Sequence, residues 1–65
     1  MDATNEKIAK QVKEAREKRK LTQAEVAKAA KITTNYYAMI ERGEANVSSD
    51  ILGELGKVLK ITIKI

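Results

Sequence analysis

The feature that most constrains this chain is a pair of helix starts set so close together that no strand or long loop fits between them. Residues 22–25 read "TQAE", a capping box in which the Thr22 hydroxyl can accept from the Glu25 amide while Glu25 reaches back. The short helix it starts has Ala24, Val26, Ala27 and Ala30 as its expected buried residues. Small residues there let a neighbouring helix come close. Thr33 is the next cap, and a further helix runs from there to about Arg42, stopping at Gly43, which can take the left-handed conformation of a helix end. Only the turn "AKIT" joins the two.

Two short helices joined this tightly form a helix-turn-helix. Upstream, Ile8, Val12 and Ala15 recur at helical spacing, with Thr4 or Asn5 as cap, so a first helix is expected over about residues 5–19. Downstream, Ser48 or Ser49 opens a fourth helix with Ile51, Leu52, Leu55, Val58 and Leu59 as its apolar stripe. Gly53 and Gly56 inside it each cost about 1 kcal/mol relative to Ala, which implies close packing or a weak helix. In the ending "KITIKI", Ile61, Ile63 and Ile65 alternate with Thr62 and Lys64, a strand-like pattern. The expected fold is all-α: one domain over residues 1–65, four helices or up to five, with 61–65 as a short tail.

A chain of 65 residues has a small core, because folding at this size buries only about 60% of the unfolded surface. It contains no Cys and no His, so disulfides, thiolate metal sites and the common catalytic base and nucleophile are missing. No cofactor, no metal and no enzymatic activity are expected. No apolar run approaches the length of a membrane span, and the N-terminus lacks the apolar core of a signal peptide. The expectation is a cytoplasmic protein.

The formal charge of +4 is uneven, since residues 7–20 hold seven Lys/Arg against two Glu, a local +5. Such a run is most simply a solvated helix face, or else a surface for phosphates or anionic lipid. As a membrane-surface or calmodulin-target helix, its stripe of Ile8, Val12 and Ala15 is too thin. Residues 22–46, by contrast, have no net charge.

Adjacent Tyr36 and Tyr37 lie 100° apart on a helix and cannot both face one core. The other side of that helix carries Thr34, Asn35, Ala38 and Met39 and hardly any charge. The segment "LTQAEVAKAAKITTNYYAMIERGEANVS" resembles the phage-repressor and Cro type helix-turn-helix family, also called the xenobiotic-response-element family of regulators. The matching positions are Leu21, Thr22, Gln23, Val26, Ala27, Thr33, Ile40, Glu41, Arg42 and Gly43.

The resemblance implies a transcriptional regulator that binds duplex DNA sequence-specifically, acting as a repressor and as a homodimer. It implies that Tyr37 packs inward while Tyr36 lies at the DNA backbone. Thr34, Asn35 and Met39 become the base-reading residues, with Asn35 able to pair with adenine and the other two able to touch thymine methyls. Gln23, Thr33, Asn46, Ser48 and Lys13 become backbone contacts, with Lys10 and Lys20 adding non-specific attraction. Arg16 and Glu41 are expected to form a partly buried ion pair. An alternative use of the same fold is as a protein-interaction module, for instance an antitoxin that binds a toxin. One departure concerns Lys31, which occupies the turn position usually held by glycine; a left-handed Lys is strained by about 1–2 kcal/mol.

Overall fold

The computed structural model describes residues 3–65. Four helices follow one another, α1 (Ala3–Lys18), α2 (Gln23–Ala29), α3 (Thr34–Glu41) and α4 (Ser49–Leu59), and no strand occurs among the described residues. Each apolar stripe turns to one shared interior. Val12 of α1, Val26 of α2, Tyr37 and Ile40 of α3, and Leu55 and Leu59 of α4 are its largest fully enclosed members. Both α1 and α2 pack against α3 and α4. The stripe of Ile8, Val12 and Ala15 is part of this core, so it is not available to a membrane or to a helix-binding partner.

Three of the four helix starts follow the cap chemistry of their sequences. Thr22 and Glu25 form the complete capping box, Thr33 accepts from the amide of Tyr36, and Ser48 accepts from the amide of Ile51. At α1 the expectation needs correction, because the helix begins at Ala3 and places Thr4 and Asn5 inside it rather than at its cap. Ala24 is also exposed rather than buried, since the 100° step of α2 turns it off the face shared by Val26, Ala27 and Ala30.

The helix ends share one device. After α2, the amide of Ile32 bonds the carbonyl of Ala27 at 3.0 Å and that of Lys31 bonds Lys28 at 3.1 Å, which is the double bond pattern of a Schellman stop. Lys31 is left-handed, with φ of 61°, and Lys20 and Lys60 do the same after α1 and α4 with φ of 57° and 56°. Gly43 closes α3 in the same way at φ 74°. Leu21, Ile32 and Ile61, each next to one of these lysines, pack against the core. That contact holds the lysines in a conformation they would otherwise avoid. Lys20-Leu21-Thr22, Lys31-Ile32-Thr33 and Lys60-Ile61-Thr62 are therefore three copies of one stop signal, the first two ending in the cap of the next helix.

The two glycines of α4 have different explanations. A Cβ at Gly56 would meet the carbonyl oxygen of Ile61 at 2.9 Å, whereas one at Gly53 would meet nothing within 4 Å. Close packing applies to Gly56 alone. The tail does not form the expected strand. Ile61 and Ile63 are half-buried against the core, and the Gln11 side-chain amide holds Lys64 by accepting from its amide at 2.8 Å and donating to its carbonyl. Among the described residues, Ile65 alone remains a large exposed apolar side chain, at 70%.

Candidate nucleic-acid interface

The inner side of α3 is fixed by a polar network at the edge of the core. Arg16 donates from Nε to Glu41 Oε2 at 2.6 Å and from Nη2 to Oε1 at 3.1 Å, and its remaining nitrogen donates to the carbonyl of Leu21 at 2.9 Å. Gln23 Nε2 adds a bond to Glu41 Oε1 at 2.9 Å. The Glu41 side chain is only 4% exposed and that of Arg16 15%. Burial pushes the Glu41 carboxyl up, but the hydrogen bonds from Arg16 and Gln23 and the nearby Tyr37 hydroxyl outweigh it and hold it below its usual value. Arg16 is correspondingly held protonated by its bond to Glu41. Burial, with Glu41 adding to it, pushes the Tyr37 hydroxyl up. That hydroxyl is enclosed without a well-formed hydrogen bond.

The network joins α1, α2 and α3 and sets the rotation of α3 about its axis. With Tyr37, Ile40 and Glu41 turned inward, Thr34 and Asn35 must face out, and both are exposed. Neither side chain is tied to another described residue. Thr33 Oγ takes the Tyr36 amide at 3.1 Å and the Thr33 carbonyl takes that of Tyr37 at 3.0 Å, so the amides of Thr34 and Asn35 remain open at the positive end of the helix. Ala38 and Met39 continue this side and are half-buried, Met39 resting on the core. The outward side of α3 is thus an uncharged ridge offering an amide, a hydroxyl and a thioether.

This placement of the second helix of a tightly joined, Thr-capped pair is the arrangement in which a helix is presented to a groove. The family model described as Helix-turn-helix, the Cro and CI type, matches residues 12–65. The chain belongs to that family. No curated protein and no solved structure matches it. The helix-turn-helix family is one of DNA-binding domains and not an enzyme family, and the chain is a DNA-binding helix-turn-helix regulator in that general sense. Among the described residues, no cluster of acidic side chains could hold a metal ion, and no helix is long and apolar enough to cross a membrane.

The other residues expected at a helix-turn-helix interface are placed unevenly. Tyr36, half-buried, donates its hydroxyl to the carbonyl of Asn46 at 3.1 Å, which joins α3 to the loop before α4. Its proton is engaged there rather than free for a phosphate. The side chain of Gln23 is likewise turned to Glu41, and that of Ser48 caps α4. Lys13 and Lys10 stand exposed on α1, on the side away from Ile8, Val12 and Ala15, and no contact brings them to the α3 ridge. Lys20 is exposed at the α1 stop. Two long-range roles escaped the sequence reading. Gln11 holds the tail, and Asn5 donates to Asn46 Oδ1 at 3.0 Å across 41 positions; no local spacing signals either.

Proposed function

We propose that this domain recognises a specific duplex DNA sequence by laying α3 in the major groove, and that it acts as a dimeric repressor. The observation that carries the reading is the outward side of α3, where Asn35 is exposed with no partner among the described residues while the inward side is locked by Glu41. An asparagine presented in this way can donate to and accept from adenine, and Thr34 and the exposed part of Met39 can approach thymine methyls. Thr33, Asn46 and Ser48 line the flanks of the ridge as backbone contacts. Gln23 and Tyr36 serve them by holding the helix and the loop, with phosphate contact requiring a change of partner. Lys13 adds sequence-blind attraction.

The proposal includes a homodimer formed through the tail and the C-terminal end of α4. Ile65 is exposed two residues beyond Ile63, and a shallow groove between α4 and the tail is lined by Leu52, Gly53, Gly56, Ile61 and Ile63 together with the polar Lys57, Lys60 and Thr62. A second copy would cover these apolar groups and place two α3 helices about one helical turn, ~34 Å, apart. Sedimentation at high concentration tests this, and monomers throughout would remove it. The reading as a whole is tested by selecting bound sites from random duplex DNA. It predicts a recurring two-fold-symmetric site, and no enrichment at low salt would overturn it.

A further inference from the structure

The Asn5 to Asn46 hydrogen bond joins two side chains 41 positions apart. It joins the first turn of α1 to the loop between α3 and α4, between a half-buried Asn5 and an exposed Asn46, and a hydrogen bond open to solvent in this way adds little to stability. Asn46 is held twice, since its backbone carbonyl also accepts from Tyr36 on the flank of the α3 ridge. A carboxamide has one acceptor end and one donor end. With Oδ1 of Asn46 accepting from Asn5, its NH2 group is the end left without a partner among the described residues. Phosphate oxygens only accept hydrogen bonds, so the donor end is the end a DNA backbone requires.

We propose that Asn5 is a positioning residue for the DNA backbone grip: it fixes the Asn46 amide with its NH2 outward, toward the phosphate beside the α3 ridge. This rests on the DNA-binding reading above. Without Asn5 the Asn46 amide turns freely and presents its oxygen to the phosphate for part of the time, which repels. The grip would then weaken equally on every sequence, because a phosphate carries no base information.

A double-mutant cycle on DNA binding decides the matter. Asn5→Ala, Asn46→Ala and the double variant are titrated on a selected site and on scrambled duplex, with the melting temperature of each variant measured alongside. The expected result is a loss of about three- to ten-fold per bound copy for either single variant, the same on both DNAs, and no further loss in the double variant. Melting temperatures should stay close to that of the parent. Additive losses, or an Asn5→Ala loss that follows a fall in melting temperature, would overturn the positioning role. An unchanged affinity for Asn5→Ala, with the parent binding its site and Asn35→Ala losing selectivity, would overturn this inference alone. Failure of the parent to bind any duplex would instead remove the reading on which it rests.

Discussion

The two sides of α3 are built from the same eight residues and follow opposite rules. On the inner side the side chains are locked in place: Tyr37 and Ile40 are sealed in the core, and Glu41, beside the enclosed Tyr37 hydroxyl, takes three hydrogen bonds from Arg16 and Gln23. On the outer side Thr34 and Asn35 are tied to nothing described in the protein. The difference teaches that the fold and the function draw on separate residues only one position apart. Tyr36 and Tyr37 make the point most directly, since one 100° step separates a side chain that belongs to the core from one that braces the neighbouring loop.

If this division holds, damage on the inner side should appear as lost stability. The largest effect is expected for Tyr37→Ala, which empties a fully enclosed aromatic site and should cost about 3–5 kcal/mol, enough to unfold most of a domain this small. Thermal or urea unfolding measures it, and a loss below about 1 kcal/mol would mean that the site collapses around the gap.

Glu41→Gln follows at about 2–4 kcal/mol, below the cost of breaking a sealed pair because Arg16 is partly exposed. Its effect should depend on pH. The Glu41 carboxyl is held below its ordinary value of 4.5, so the stability it contributes is complete above that pH and is lost as pH falls through the lower native value. The gap between parent and variant should therefore narrow in acid. A gap that is constant down to pH 2, or parent and variant melting alike at neutral pH, would show the pair to be solvated.

Smaller effects are expected where the backbone rather than the core is at issue. Lys31→Gly relieves a left-handed side chain and should gain about 1 kcal/mol, the Cβ strain outweighing the flexibility glycine adds to the unfolded chain. Gly53→Ala should gain a similar amount because its site is open, whereas Gly56→Ala should lose stability against the Ile61 carbonyl. The smallest changes belong to the outer side of α3. Thr34→Ala and Asn35→Ala should shift stability by no more than about 0.5 kcal/mol, and a larger loss would erase the distinction between the two sides.

Much of the fold was legible because its signals are local. Thr22 with Glu25, Thr33 and Gly43 each act within a few residues of where they stand, and the helical spacing of Ile8, Val12 and Ala15 reports directly on burial. The misreadings came from contacts between distant segments. Nothing beside Lys64 announces that Gln11 will hold it, so the alternation of Ile61, Ile63 and Ile65 suggested a strand where the chain folds back on its own core. Asn5 is capable of capping a helix, and only its distance to Asn46 shows it doing something else. The lysines at 20, 31 and 60 could have been recognised as helix stops from their repeated Lys-Leu/Ile-Thr setting, but at any single position glycine is the more usual residue. At the site, the resemblance named the residues of the ridge. The rotation that exposes Asn35 is set by Arg16 and Glu41, 25 positions apart.

The central claim is that the outer side of α3 reads bases, and a titration of parent and Asn35→Ala on a selected duplex and on a scrambled one, at two salt concentrations, tests it most directly. The account predicts that Asn35→Ala loses about 1–3 kcal/mol on the selected duplex, relaxes preference at one base position and barely changes on the scrambled one, with the salt slope unaltered. Equal losses on both duplexes would contradict it and would mean that α3 grips the backbone without reading the sequence.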